Sequence, residues 1–166
     1  RAGRPARIRM KVNSIVDEAI VDALYLASRA GVEVQLFVRG ICGIRPDIPD
    51  LSENIEVRSV LGRYLEHSRC FVFGVEDPVT YIGSADLMHR NLDRRVEALV
   101  RLTDPAHVAD VVSLFDLAFD PGTSAFVLGP DGTWNRRVHD EAGNRLRDYQ
   151  SELVTRHRRR TRAGGR

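Results

Sequence analysis

Arg7-Ile-Arg-Met-Lys-Val12 alternates apolar with basic side chains, and this period of two predicts a strand with one buried face. Ser14 and Asp17 follow it at the spacing of a capping box, which predicts a helix over residues 15–30. Val32-Glu-Val-Gln-Leu-Phe-Val38 then predicts a second strand. Because a strand, a helix and a strand in direct succession form a βαβ unit, we expect a sheet with parallel strands.

The rest of the chain adds strands, a second core helix and a C-terminal extension. Asp104-Pro105 predicts a helix start, because an Asp cap followed by proline suits the first helical turn. A charged helix is expected beyond residue 142. Further strands are predicted over residues 55–60, 69–74, 79–83 and 95–102, and a hairpin over residues 126–138. These elements indicate the α/β class, with a mixed, largely parallel sheet flanked by helices.

Charge is distributed unevenly along the chain. The 166 residues carry 25 basic and 23 acidic side chains, and their formal net charge is +2. Both ends hold basic residues and no acidic ones, so the body between them is acidic. We divide the chain into a basic N-terminal end (1–6), a main unit (7–125), an appended hairpin and helix (126–155) and an Arg-rich tail (156–166). The tail lacks an apolar face and is predicted to be disordered.

Composition excludes several classes of protein. Lys11 is the only lysine, which excludes a Walker A loop and the ATP-binding lysine of protein kinases. The two cysteines, Cys42 and Cys70, exclude a disulfide framework and a CxxC metal site. The sequence contains no apolar run of the roughly 20 residues that a membrane span needs. We expect a cytoplasmic protein with no membrane span and no specific nucleic-acid partner.

Polar side chains that suit phosphate chemistry concentrate around His67. Histidine can transfer a proton near neutral pH or attack phosphorus, and arginine offers a planar, permanently charged fork to phosphate oxygens. Ligands of parallel sheets bind beyond the carboxyl ends of strands, which is where Arg39 is expected. Glu97 or Asp86 could orient the imidazole. The candidate site comprises His67 as the catalytic residue, Arg39, His67, Arg69, Ser84, Arg94 and Arg95 as phosphate ligands, and Glu97 as the orienting group.

The spacing around His67 resembles the phospholipase D superfamily, whose motif is H-x-K-x-x-x-x-D followed by G-S-x-N. His67 and Arg69 occupy the H and K positions, whereas Gly74 stands where the motif has Asp. Gly83-Ser-Ala-Asp86 matches G-S-x-N with Asp in place of Asn. These departures favour a relative that transfers phosphoryl groups over a phosphodiesterase.

Longer motifs resemble polyphosphate kinase of the first type, and within it the second, C-terminal catalytic domain. The resemblance covers roughly residues 7–135. Its motifs are Lys11-Val-Asn-Ser-Ile-Val-Asp17, Val38-Arg-Gly-Ile-Cys42, Arg45-Pro46, Leu51-Ser-Glu-Asn54, Val57-Arg-Ser59, Leu65-Glu-His-Ser-Arg69 and Asn91-Leu-Asp-Arg-Arg-Val-Glu97.

This resemblance implies a phospholipase D-like α/β fold and reversible transfer of the terminal phosphate of ATP to inorganic polyphosphate. Arg39 and His67 fall on positions that contact ATP in the family. The family's phosphorylated histidine and its Mg²⁺-binding arginines belong to a first catalytic domain, so Mg²⁺ is expected there and not in this chain. We therefore expect a fragment or truncated product that needs that domain as its partner, within a homo-oligomer.

Structural roles compete with these assignments. His67 could be a core histidine, Arg39 a solvated loop residue, and Glu97 a partner of nearby arginines. Arg69, Arg94 and Arg95 could pair with Glu66, Asp93 and Glu97. A second functional hypothesis is a homodimeric phospholipase D-like phosphodiesterase or nuclease that pairs two copies of His67. A third is a noncatalytic polyanion-binding relic.

Overall fold

The computed structural model, which describes residue 3 and residues 5–164, contains one eight-stranded mixed sheet. Its strands are β1 (Arg7–Val12), β2 (Glu33–Val38), β3 (Ile55–Ser59), β4 (Arg69–Phe73), β5 (Val79–Gly83), β6 (Leu99–Leu102), β7 (Ala125–Leu128) and β8 (Trp134–Arg137). The helices are α1 (Glu18–Arg29), α2 (Pro105–Phe119) and α3 (Tyr149–Gly164), with one π-helical turn (Arg90–Arg94). The strand order is β6-β5-β4-β1-β2-β3-β7-β8, which confirms the α/β class.

The βαβ unit predicted from the sequence is present. β1 pairs with β2 and β2 with β3, both in parallel. The other five pairings are antiparallel, so the parallel part of the sheet is smaller than predicted. The reason is that β4 returns antiparallel beside β1, and the connection to β5 over residues 74–78 is too short for a parallel crossover.

The first helix begins later than predicted. Asp17 is its N-cap, and the Asp17 Oδ1 atom accepts a hydrogen bond from the Ile20 amide at 3.1 Å. Ser14, expected at the cap, lies in the preceding loop, where its own amide donates to Asp86 Oδ1 at 3.2 Å. After the helix, Gly31 adopts φ of 81°, a left-handed conformation that glycine reaches without a Cβ clash.

Strand β1 is buried on both faces, which corrects the prediction of a strand with a single buried face. The side chains of Arg9 and Lys11 are both buried. Arg9 Nη1 lies 2.7 Å from Asp116 on α2, and Lys11 Nζ lies 3.1 Å from Glu66. A central strand of a doubly covered sheet is enclosed on both sides, so its charged side chains need ion-pair or hydrogen-bond partners.

Two hydrophobic clusters cover opposite faces of the sheet. Leu36 packs in the cluster that contains Leu24 of α1, whereas its neighbour Phe37 packs with Phe115 of α2. Consecutive strand residues point to opposite faces, so β2 contributes to both clusters. The Phe37 and Tyr149 rings meet edge to face with centroids 5.5 Å apart, which attaches the start of α3 to the α2 side.

The C-terminal segments are more ordered than predicted. The hairpin β7–β8 continues the main sheet, because β7 pairs with β3. Helix α3 extends to Gly164, through most of the segment expected to be disordered. Two of its arginines form ion pairs. Arg156 Nε lies 3.0 Å from Glu152, and Arg160 Nη2 lies 2.6 Å from Asp110 on α2. The expectations for Arg1, Arg4 and Arg166 concern residues outside the described part.

Two further details concern the ends of elements and the membrane. β6 begins at Leu99, not at residue 95, because residues 95–98 form an irregular segment after the π-helical turn, in which Glu97 accepts hydrogen bonds from Ser84 and Asn91. Within residues 5–164, no helix has the length and apolar composition needed to cross a bilayer.

Candidate phosphate-binding site

The candidate site lies at the edge of the sheet where β1, β2 and β5 end and β4 begins. Arg39 follows the last residue of β2, and its amide nitrogen lies 3.4 Å from the carbonyl oxygen of Val12 at the end of β1. Arg69 opens β4 opposite Gly83, the last residue of β5. The topology therefore brings three of the sequence-predicted segments, around Arg39, His67 and Ser84, to one edge.

A buried ion pair lies at the centre of this edge. Arg69 Nη2 lies 2.7 Å from Asp86 Oδ2, and both side chains are largely shielded from solvent. Asp86 Oδ1 also accepts hydrogen bonds from the Asn13 and Ser14 amides at 2.6 and 3.2 Å. Burial by itself would raise the pKa of Asp86, but the Arg69 guanidinium and these amides outweigh it and lower that pKa. Arg69, predicted as a phosphate ligand, is thus already compensated by a carboxylate.

The same guanidinium contacts His67. Arg69 Nη1 donates to the His67 carbonyl oxygen at 2.7 Å and lies 2.9 Å from Nδ1 and 3.1 Å from Nε2 of the imidazole. A guanidinium has only donors, so the ring nitrogen that pairs with it must present its lone pair. The His67 ring is exposed at the surface and is not a core histidine. Arg69 therefore holds His67, the candidate catalytic residue, through both its backbone carbonyl oxygen and its ring.

Lys11 is a site residue that the sequence interpretation missed. Its Nζ lies 3.1 Å from Glu66 Oε2 and donates to Ser68 Oγ at 2.8 Å, so it contacts both neighbours of His67. It also lies 4.9 Å from the centroid of the Phe37 ring. The sequence feature that could have indicated its role is that the only lysine of the chain lies in a strand whose end leads directly into the site.

Glu97, predicted to orient His67, contacts other residues. Ser84 Oγ donates to Glu97 Oε2, and Asn91 Nδ2 donates to Glu97 Oε1 at 2.6 Å. The hydrogen bond from Ser84, followed by that from Asn91, lowers the pKa of Glu97. Among the described contacts of the His67 ring, the partner is Arg69 and not Glu97. The structure thus joins Ser84 with Glu97 and leaves Arg94 and Arg95 exposed beside them.

Arg39 is half-buried and carries an unpaired donor. Its Nε atom is buried and has no hydrogen-bond partner among the described residues. The adjoining turn is tight, because a Cβ on Gly40 would lie 2.9 Å from the Asn13 carbonyl oxygen. An unpaired buried donor on a permanent cation favours an anion as the missing partner.

One further cluster contains potential metal ligands. Asp17, His89 and Asp93 each place a ligand atom within 4.8 Å of the others. However, His89 Nδ1 lies 3.0 Å from Asp17 and Nε2 lies 2.6 Å from Glu18, a geometry that suits a protonated imidazole. The Glu18 carboxylate in particular raises the pKa of His89. Mg²⁺ prefers an octahedron of oxygen ligands, so this histidine-centred group does not fit the Mg²⁺ that the resemblance implies.

Comparison with known proteins identifies the family. A family model described as polyphosphate kinase C-terminal domain 2 matches residues 1–148. The chain belongs to this family. It is 60% identical over 161 residues to the polyphosphate kinase of Streptomyces coelicolor, and the match covers 96% of this chain and 22% of that protein. Over 152 residues it is 52% identical to the polyphosphate kinase of Mycobacterium tuberculosis, covering 92% of this chain and 20% of that one.

Solved structures agree with this assignment. Polyphosphate kinase from Porphyromonas gingivalis superposes with a TM-score of 0.88 at 30% identity, over 97% of this chain and 24% of that chain. The phospholipase D family member Nuc from Salmonella typhimurium superposes with a TM-score of 0.53 at 17% identity, over 81% of this chain and 85% of that one, and shows a shared fold. The resemblance to polyphosphate kinase drawn from the sequence is confirmed, and the phospholipase D-like fold that it implies is the fold shared with Nuc. The chain spans about a quarter or less of the length of the polyphosphate kinases that it matches.

Proposed function

We propose that this chain is the second, C-terminal catalytic domain of a polyphosphate kinase. In this role it binds ATP and inorganic polyphosphate during reversible transfer of the terminal phosphate. The observation that carries the proposal is that, in a chain of this family, Arg39 Nε is buried with no hydrogen-bond partner among the described residues, and the exposed His67 lies at the same edge of the sheet. We expect the transfer to occur in the cytoplasm, where ATP is available.

The site residues divide into three groups by their contacts. Arg39 and His67 contact phosphate oxygens. Arg39 Nε has no hydrogen-bond partner among the described residues, and the His67 side chain is exposed. Arg94 and Arg95 add positive charge at the exposed border. Arg69 holds His67 and is neutralised by Asp86, while the hydroxyl of Ser84 is engaged by Glu97 until phosphate displaces it.

Turnover requires the other catalytic domain, which supplies Mg²⁺ and the phosphorylated histidine. This rests on the resemblance to polyphosphate kinase, in which the phosphorylated histidine and the Mg²⁺ site belong to the first catalytic domain. The isolated chain is therefore expected to bind the substrates weakly and to form no polymer. In the whole enzyme we expect a homo-oligomer.

Calorimetric titration of the chain with ATP and with inorganic tripolyphosphate tests the proposal. Arg39→Ala and His67→Ala should each weaken tripolyphosphate binding by about tenfold, because each removes a charge-assisted hydrogen bond. Arg29→Ala is the matched control, since Arg29 is an exposed arginine at the end of α1, which leads to the opposite edge of the sheet. Equal affinities in all four proteins would refute the site, and polymer synthesis by the isolated chain would refute its dependence on a partner domain.

The same proteins separate the two competing hypotheses. The fold shared with Nuc keeps a phosphodiesterase in consideration. Hydrolysis of bis(p-nitrophenyl) phosphate by the wild type and not by His67→Ala would favour that activity. If tripolyphosphate binds at Arg39 and His67 and adding the family's first catalytic domain still gives no transfer, the chain is a noncatalytic polyanion-binding module.

A further inference from the structure

The loop that carries His67 is exposed along almost its whole length. Residues 61–68 lie in the connection between β3 and β4, and all of them are exposed except Glu66, which is half-buried. Leu61, Tyr64 and Leu65 all present large apolar side chains to solvent. Hydrophobic burial therefore contributes little to the order of this loop, so its conformation depends on polar anchors.

Gln150 of α3 supplies three of these anchors. Its Oε1 accepts from the Tyr64 amide at 2.8 Å, and its Nε2 donates to the Tyr64 carbonyl oxygen at 2.7 Å. The same Nε2 donates to Glu66 Oε1 at 2.8 Å. Both hydrogens of the side-chain amide are thus used, and its oxygen is paired as well. The side-chain amide thus accepts from the backbone N–H of Tyr64 and donates to its carbonyl oxygen, which is the pattern of a residue pair in neighbouring strands.

Gln150 is itself held firmly. Its side chain is buried, and the preceding Tyr149 is 1% exposed and packs edge to face on Phe37. The loop approaches it closely, because a Cβ added to Gly62 would lie 2.4 Å from Gln150 Oε1. The close approach of the glycine is independent of the hydrogen bonds and shows that the loop is seated on this side chain.

The anchor continues to the immediate neighbours of His67. Glu66 accepts from Gln150 on one carboxylate oxygen and faces Lys11 with the other, at 3.1 Å. Lys11 in turn donates to Ser68 Oγ at 2.8 Å. His67 is therefore the residue between two side chains that are both fixed from the protein interior, and its ring projects outward from that fixed segment.

We propose that Gln150 is a positioning residue for His67, and that helix α3 orders the phosphate-binding loop through this one side chain. The inference rests on the proposed function for the role of His67 as a phosphate contact. Gln150 touches no phosphate itself. Removal of its amide releases Tyr64 and Glu66, so the imidazole samples several positions and loses its contribution to anion binding.

A double-mutant cycle in the full chain tests this role, with inorganic tripolyphosphate as the probe. Gln150→Leu keeps the size of the side chain and removes its hydrogen bonds, and should weaken binding about tenfold, as His67→Ala does. The double variant should bind no more than about twofold more weakly than either single variant, because both changes remove the same contact. Gln35→Leu is the matched control, since Gln35 lies on β2 and bonds to Glu33, outside the site.

Hydrogen exchange of residues 61–68 provides the second readout. Gln150→Leu should remove the protection of the Tyr64 amide and leave the strand amides protected. In Gln35→Leu, the Tyr64 amide should stay protected. If Gln150→Leu does not fold, Gly62→Ala replaces it, because the added Cβ displaces the intact Gln150 amide from the loop. Additive losses of affinity, or unchanged exchange, would overturn the positioning role. If His67→Ala leaves affinity unchanged while exchange in Gln150→Leu rises, the anchor stands and the proposed phosphate contact of His67 is wrong.

Discussion

Two polar networks lie side by side at the candidate site and differ in burial. In the first, Arg69 and Asp86 form an ion pair with side chains only 10% and 3% exposed. In the second, Ser84 and Asn91 donate to Glu97; Asn91 is buried, but Ser84 is exposed and Glu97 is half-buried. Both networks include a carboxylate with a lowered pKa, but for different reasons. Asp86 is stabilised by a cation and backbone amides against the cost of burial, and Glu97 by neutral side chains near water.

The difference indicates which residues build the site and which can respond to a ligand. Asp86 holds the Asn13 and Ser14 amides as well as Arg69, so it fixes the turn that follows β1. Removing one member of such a buried network leaves uncompensated polar groups in the interior. The Ser84–Glu97 hydrogen bond can be exchanged for water at little cost, because Ser84 is exposed and Glu97 is only half-buried.

The largest expected effect comes from breaking the buried network with Asp86→Ala. This change leaves the Arg69 guanidinium and two backbone amides without their acceptor, and should lower the free energy of unfolding by about 3 to 5 kcal/mol. Urea denaturation followed by circular dichroism measures the loss. Asp86→Asn is the control, because it keeps one acceptor oxygen, and about half of the loss is expected. A loss no larger than that of an exposed substitution would contradict the comparison.

The part of the fold built from local patterns could be predicted from the sequence. Alternation in residues 7–12 and 32–38 gave strands that the structure contains at nearly the same bounds. Asp104-Pro105 was a correct helix start, and Asp104 accepts from the Ala106 amide at 2.8 Å. The direction of the later strands was predicted less well, because pairing partners depend on tertiary contacts that local patterns do not encode.

The candidate site could be predicted as a set of residues but not as a set of contacts. The motifs named Arg39, His67, Ser84 and Glu97, and the topology brings their segments to one edge. The pairing of Glu97 with Ser84 and the burial of Lys11 depend on long-range packing that no spacing rule gives. Gln150 contacts the loop from 86 residues away in the chain, which places it outside any motif around His67.

Acid provides a smaller perturbation of the same buried pair. The folded state lowers the pKa of Asp86 below its ordinary value of 3.8, so the unfolded state binds the proton more readily. The contribution of Asp86 to stability is therefore complete above that ordinary value and is lost as pH falls through the lower, folded-state pKa. The difference in unfolding free energy between wild type and Asp86→Asn should be constant from pH 7 to 5 and shrink below pH ~4. A difference that grows on acidification would contradict the assigned direction.

The smallest effect is expected from Glu97→Gln in the second network. Glutamine keeps an oxygen that accepts from Ser84 or Asn91, so the stability loss should be less than about a quarter of that of Asp86→Ala. The change also removes a negative charge near Arg95 and Arg69, and tripolyphosphate should bind about twofold more tightly as a result. This outcome separates two roles for Glu97. If it orients His67, as the sequence predicted, the variant must bind more weakly; if it competes with phosphate for Ser84 and the arginines, as its contacts indicate, the variant binds more strongly.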